Sequence, residues 1–209
     1  MKIEIEVDLR SKLGVIRDQG PRPTCLAHAT TTAHENCRGS TTPLSPEYLH
    51  FFATGGVSAG VSIERIAETL KRKGQPVEVD CPYLRVDPPR GWKPRNRLTV
   101  FRRDSQEPAS LGLSKIEQII GEEQLPILGI ALTDGFFMPS PPWRISSDGP
   151  LRGFHAVVGV GQGTLDGNRA VLIRNSWGVD WADDGYAWLD AGYISRHLKK
   201  VLVLTDEVS

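Results

Sequence analysis

The chain has 209 residues, and its 25 Lys and Arg residues balance 25 Asp and Glu residues, so the formal net charge is zero. This balance leaves no basic footprint of the kind that nucleic-acid-binding proteins carry. No run of residues approaches the ~18 consecutive apolar residues of a membrane span, so neither nucleic acid nor a membrane is an expected partner.

The cysteines and the N-terminus bear on location. There are three cysteines, Cys25, Cys37 and Cys81, and an odd, small number is not typical of a disulfide framework. The first residues, MKIEIEVDLRSKLG, lack the apolar region of a secretory signal. We therefore expect a reducing, cytoplasmic location, with delivery out of the cell by a non-classical route left open.

The first predicted elements are a strand and a helix. Residues 2–7 alternate charged and apolar residues with the period of two that is typical of a strand. A helix is expected from Thr24 as N-cap to Arg38, with Gly39 ending it, so that Cys25 lies in its first turn. The run of three threonines in this helix is poor helix material, so packing should hold it in place.

Two further helices and a long connection complete the first half. Ser45 is the predicted cap of one helix and Ser62 of the other, which should end at Gly74. Residues 76–109 are rich in Pro and Arg, which is typical of a surface connection between two halves. We expect its arginines to be solvated charges of a linker and not a local basic patch.

The second half is predicted to be mainly strands after one short helix. Ser114 and Glu117 have the spacing of a capping box at the start of that helix. The strand-like segments that follow are LPILGIAL, FHAVVGVG, AVLIRNSWG, GYAWL and KKVLVLTD. Asp166-Gly167 predicts a hairpin between the second and third of them, and the loop at 133–153 is long enough to carry function. Helices first and antiparallel strands later favour an α+β fold in two lobes.

Cys25 is the residue on which the functional interpretation depends. It is a candidate nucleophile, because a helix N-terminus and a histidine lower a thiol pKa. His155 is the best histidine partner, since it begins an apolar strand where a polar ring needs a contact. Asn175 begins a turn at the end of the next strand, and pairing of the two strands would bring it close to His155. The other four histidines lack such a context, two of them being on the Cys25 helix itself.

Two other roles are open to Cys25. A zinc set of Cys25, His28, His34 and Cys37 has suitable ligand types, but residues nine and twelve apart on one helix lie too far along its axis at ~1.5 Å per residue. No metal and no cofactor are therefore predicted. A buried thiol without chemistry is the other alternative, and Cys37 and Cys81 are expected to be of that kind.

The order Cys25, His155, Asn175, with DQG before the cysteine and NSWG from the asparagine onward, resembles the papain-like cysteine peptidases. The separations of 130 and 150 residues match the spacing of that family. The resemblance implies one domain over 1–209 with a helical left lobe, about 10–105, and an antiparallel, β-barrel-like right lobe, about 106–209 plus the N-terminal strand. The active-site cleft would lie between the two lobes.

The resemblance also implies a role for each site residue. Cys25 would attack the peptide carbonyl, His155 would exchange protons with it, and Asn175 would orient His155. Gln19 would donate its side-chain amide to the oxyanion, together with the Cys25 backbone N–H. In the same way Trp177 would cover the histidine–asparagine contact, and Gly60 would leave room for the substrate backbone.

Some residues depart from the family pattern. Arg22 stands where the family has the first cysteine of its nucleophile segment, Leu26 replaces an aromatic residue and Ala182 replaces a glycine. No pro-segment precedes VDLRSKLG, so an inhibitor or immunity protein is a candidate partner beside a protein or peptide substrate. Three alternatives stay open: an effector or toxin protease, other acyl chemistry such as deamidation, transamidation or isopeptide cleavage, and a silent binding domain.

Overall fold

The structure is a computed structural model that describes residues 2–40 and 42–208. The helices are α1 Cys25–Arg38, α2 Pro46–Thr54, α3 Ile63–Lys73, α4 Leu113–Gly121, α5 Asp134–Phe137 and α6 Ala191–His197. The strands are β1 Ile3–Asp8, β2 Arg102–Gln106, β3 Ile127–Thr133, β4 Leu151–Leu165, β5 Asn168–Arg174, β6 Tyr186–Asp190 and β7 Leu198–Val208. Short 3-10 helices occupy Arg10–Lys12 and Glu78–Asp80.

Serine caps begin two of the predicted helices. The Ser45 hydroxyl accepts the backbone N–H of Tyr48 at 3.0 Å, and the Ser62 hydroxyl accepts that of Arg65 at 3.2 Å. Helix α1 also begins where predicted, but the Thr24 side chain makes no capping bond and contacts the Tyr83 hydroxyl at 2.8 Å instead. A cap satisfies N–H groups that the helix cannot pair internally, so α1 depends on its buried packing.

The strands form one antiparallel sheet in the order β2-β7-β3-β4-β5-β6, with β1 added to β4. The predicted hairpin joins β4 to β5, and Asp166 and Gly167 both have positive φ, at 48° and 79°. This is the conformation that two-residue hairpin turns favour. Over the described residues the two edge strands of this sheet do not pair with each other, so the sheet is open and the barrel-like expectation is corrected.

Two further expectations are corrected, and one helix lies where none was expected. The 76–109 connection contains β2, which pairs with β7 although our division placed it in the helical lobe. Helix α4 begins at Leu113 after Gly112 and has no side-chain cap, so Ser114 lies inside it and the predicted capping box does not form. Helix α6 was not predicted, because its seven residues are too few to show a helical period. The division into two lobes stays a prediction.

Helices and sheet share one apolar core. Helix α1 packs against β4, and nine of its fourteen residues are buried, Thr30, Thr31 and Thr32 among them. The Thr31 hydroxyl donates to the Ala27 carbonyl at 2.7 Å, so this buried polar group has a hydrogen-bond partner. Within the described residues no helix is both long and apolar enough to cross a membrane. The core thus fixes the start of α1 against the middle of the sheet.

Buried histidines should make the fold acid-sensitive. Burial lowers the pKa of His28 to about 3 and the pKa values of His34 and His50 to about 4, from an ordinary 6.5. Because the unfolded chain binds these protons first, stability is full above about pH 6.5 and falls as the pH drops toward about 4. Each histidine should withdraw on the order of 1–2 kcal/mol between about pH 7 and pH 5. Urea unfolding across this range measures the effect.

His50 offers a matched variant for that experiment. Neither of its ring nitrogens has a hydrogen-bond partner among the described residues. His50→Leu therefore removes a titrating group without breaking a bond, and it should flatten the pH dependence of unfolding. A free energy of unfolding that stays constant from about pH 7.5 to pH 4.5 in the parent would contradict the account.

Candidate active site

The predicted site residues lie on the facing edges of the helices and the sheet. Cys25 is the first residue of α1, His155 lies in β4, and Asn175 directly follows β5. Gln19 lies in the loop before α1. A cleft of about 830 Å³ is lined by Gln19, Cys25, Gly60, His155 and Trp177. Five of the six predicted site residues therefore border one cleft, and Asn175 lies buried behind it.

His155 and Asn175 are joined by a buried hydrogen bond. The distance from His155 Nε2 to Asn175 Oδ1 is 2.7 Å. The same Oδ1 accepts the backbone N–H of Ser176 at 2.8 Å, which fixes the direction of the amide. Because an amide oxygen only accepts, Nε2 carries the hydrogen and Nδ1 is the basic nitrogen of the neutral ring.

Aromatic rings cover this hydrogen bond. The Trp177 ring lies 4.8 Å from the His155 ring, centroid to centroid, and Phe136 lies 5.5 Å from it on an edge. Phe137 packs on Trp177 at 5.5 Å, and the Trp181 indole N–H donates to the Phe136 carbonyl at 2.9 Å. Such rings exclude water and strengthen the polar contact that they enclose. The 133–153 loop thus supplies part of the site, through helix α5.

The thiol of Cys25 is subject to two opposing effects. Burial raises its pKa, whereas the backbone N–H groups of Ala156, Leu26 and Cys25 itself lower it. Two of these donors belong to the first turn of α1, where the helix dipole also favours a negative charge. The side chain is nevertheless only half-buried, because it borders the cleft.

The imidazole of His155 is held in a similar balance. Burial lowers its pKa to about 4, and the hydrogen bond to Asn175 opposes this change. Burial therefore favours a neutral thiol and a neutral imidazole when each is considered alone. A thiolate and an imidazolium placed side by side in a low-dielectric site would stabilise each other.

The side-chain amide of Gln19 is fixed at both ends. Its Oε1 accepts the Ser176 hydroxyl at 2.7 Å, and its Nε2 donates to the Arg22 carbonyl at 2.7 Å. A primary amide has two N–H groups, so one of them remains for a ligand in the cleft. Ser176 thereby links the Asn175 amide to the Gln19 amide, a role that the sequence analysis missed.

The rest of the cleft is apolar with one charged end. Gly60 is exposed, and a Cβ atom built on it would meet no atom within 4 Å, so the wall is open there. Lys200 is bound by Glu64 at 3.0 Å and by Glu107 at 2.9 Å. The apolar lining comes from Leu26, Val61, Ile63, Ile130, Leu132 and Phe154. Sequence alone could not find these residues, because they come from four separate segments.

Three of the other four histidines have hydrogen-bond partners outside the candidate site. His28 Nδ1 contacts the Thr24 carbonyl at 3.1 Å, and His34 Nδ1 contacts the Gln75 side chain at 2.9 Å. His197 Nε2 contacts the Ser147 carbonyl at 2.8 Å. No group of three or more metal-ligating side chains is present among the residues that the structure describes.

Known proteins are similar to this chain in both sequence and fold. The model of the papain family cysteine proteases matches residues 135–203, which contain His155 and Asn175. Oryzain gamma chain of Oryza sativa subsp. japonica is 28% identical over 188 residues, covering 85% of this chain and 52% of its own length. Cathepsin K of Gallus gallus is 26% identical over 193 residues, covering 88% and 58%. The chain thus spans about half the length of the curated relatives it matches.

The fold is shared with a solved structure over nearly its whole extent. Xylellain, a cysteine protease from Xylella fastidiosa, superposes with a TM-score of 0.80 at 21% identity, covering 98% of this chain and 87% of that one. The chain is papain-like in sequence and fold. It has helices beside an open antiparallel sheet, and the α+β prediction is confirmed.

The cover over His155 can be tested by its effect on pKa. Trp177→Ala should raise the His155 pKa from about 4 toward its ordinary 6.5, because it admits water to the ring. NMR titration of ¹⁵N-labelled histidines in a Cys25→Ala background measures His155 without its thiol partner. Phe137→Ala is the matched control, since Phe137 packs on Trp177, whereas the rings beside His155 are those of Trp177 and Phe136. An unchanged His155 pKa in Trp177→Ala would contradict the shielding role.

Proposed function

We propose that this papain-like protein is a cysteine endopeptidase that cleaves peptide bonds in a protein substrate. The observation that carries the proposal is the 2.7 Å bond from His155 Nε2 to Asn175 Oδ1, in a cleft that also holds Cys25 at the start of α1. This bond leaves His155 Nδ1 as the basic nitrogen, which is what a proton acceptor for a thiol requires.

The reaction would begin with proton transfer from the Cys25 thiol to His155 Nδ1. The thiolate attacks the carbonyl carbon, and the oxyanion accepts hydrogen bonds from Gln19 Nε2 and the Cys25 backbone N–H. As the tetrahedral intermediate collapses, the C–N bond breaks and His155 gives its proton to the leaving amine. His155 then takes a proton from water, whose oxygen attacks the thioester, and the acid product and the thiol are released.

Asn175 and Trp177 would act on His155. Asn175 would keep the ring in the tautomer and orientation that the first step needs, and Trp177 would keep water away from that contact. Gly60 would let an extended substrate backbone approach the helical wall of the cleft, since its position has open space. The leaving amine would lie on the His155 side, near Trp177.

Other acyl chemistry is the second candidate, because the same groups serve deamidation, transamidation and isopeptide cleavage. The apolar lining of the cleft favours a peptide substrate with apolar side chains over a small amide. A restrained effector protease and a silent binding domain are the further alternatives. Location in the cytoplasm and restraint by an inhibitor or immunity protein stay predictions, the former supported by the three free cysteines.

The test is hydrolysis of a peptide library and of casein, with products identified by mass in H₂¹⁸O. We expect new carboxyl termini that carry ¹⁸O, and Cys25→Ala should lower the rate by ~10⁴-fold or more. Gln19→Ala should cost ~10²–10³ in rate. Cys37→Ala is the matched control and should keep full activity.

Three outcomes would contradict the proposal. Conversion of glutamine side chains without chain cleavage would make the protein a deamidase. Transfer to an added amine with no ¹⁸O uptake would make it a transamidase. Tight peptide binding without any product would make it a binding domain.

A further inference from the structure

Arg22 carries a buried charge directly beside the candidate active site. It lies between two prolines, three residues before Cys25, and only 4% of it is exposed. Its guanidinium forms a two-pronged ion pair with Glu47 of α2, with Nη1 to Oε2 at 2.5 Å and Nη2 to Oε1 at 3.0 Å. Glu47 is fully buried. Removing two charges from water is costly, so a pair in this position needs a reason.

The ion pair ties together three segments of the chain. Arg22 also donates to the Leu84 carbonyl, and the Leu84 backbone N–H donates to Glu47 Oε2 at 3.1 Å. The Tyr83 ring lies under the guanidinium at 5.3 Å, and its hydroxyl donates to the Gln19 carbonyl at 2.7 Å. The loop over 19–24 is therefore held from beneath by α2 and by the segment at 83–84.

The backbone of Arg22 contacts the oxyanion donor directly. Its carbonyl accepts the Gln19 Nε2–H at 2.7 Å, while Ser176 holds the other end of the same amide. The amide plane of Gln19 is thus set by two partners on opposite sides. Any movement of the Arg22 carbonyl would rotate this plane and turn the remaining N–H away from the cleft.

We propose that Arg22 is a positioning residue for catalysis. Its buried ion pair with Glu47 fixes its own carbonyl, and that carbonyl aims the Gln19 amide at the oxyanion. The inference rests on the proposed function, since it concerns how the oxyanion is bound.

The test replaces the ion pair as a unit. Arg22→Met alone would leave Glu47 buried without its partner and risks unfolding, so the variant is Arg22→Met/Glu47→Leu, which keeps the volume apolar. We expect kcat for peptide hydrolysis to fall by ~10-fold or more, up to the ~10²–10³ of a lost oxyanion donor. Leu189→Ala in β6 is a control that lowers stability away from the cleft and should leave kcat unchanged.

Two readouts separate oxyanion binding from general damage. A peptide aldehyde forms a tetrahedral adduct with a thiol, whereas the corresponding alcohol does not, so only the aldehyde should lose affinity in the paired variant. Alkylation of Cys25 by iodoacetamide displaces iodide without forming an oxyanion, and its rate should stay within about 2-fold of the parent rate. Both measurements use the intact chain.

A mutant cycle with Gln19→Ala decides whether Arg22 acts through Gln19. In the Gln19→Ala background, the paired replacement should lower kcat by less than about 2-fold, because the donor it positions is already gone. A full additional loss there, or an equal loss in the alkylation rate, would overturn the inference while leaving the proposed function intact. A parent that cleaves no peptide and binds aldehyde no better than alcohol would overturn the proposed function itself.

Discussion

A short antiparallel bridge between two loops determines where the site forms. The backbone N–H of Gln19 donates to the Ser176 carbonyl at 2.8 Å, and that of Gly178 donates to the Arg17 carbonyl at 3.1 Å. Gly178 has a φ of 82°, and a Cβ atom there would lie 3.5 Å from the side chain of Asp18. The bridge joins the loop before Cys25 to the loop after β5. It adds to the packing of α1 on β4, which also joins the helices to the sheet.

The polar side chains beside this bridge form one continuous hydrogen-bond network. It runs from His155 to Asn175, then through Ser176 to Gln19, and on to the Arg22 carbonyl. Every step is buried, so each bond is stronger than it would be in water, and each lost partner would be costly. One hydrogen-bond network therefore holds both His155, which would move protons, and Gln19, which would bind the oxyanion.

Residues with a local signature could be predicted from the sequence. Local residue patterns predicted the Asp166-Gly167 hairpin and the caps at Ser45 and Ser62. Order and separation along the chain gave the candidate set of Cys25, His155, Asn175 and Gln19. Features that depend on tertiary partners could not be predicted. Strand β2 has the polar sequence RRDSQ and exists because β7 pairs with it. Arg22 reads as loop charge until Glu47, 25 residues away, is placed beside it.

The central claim is that Cys25 and His155 form a reactive ion pair, and alkylation of each cysteine against pH tests it most directly. The account predicts that Cys25 reacts rapidly well below about pH 8, much faster than Cys37 and Cys81, whose thiol pKa values burial raises. His155→Ala should abolish this low-pH reactivity and leave the other two cysteines unchanged. A Cys25 that reacts no faster than Cys37 and Cys81 in the parent would contradict the account.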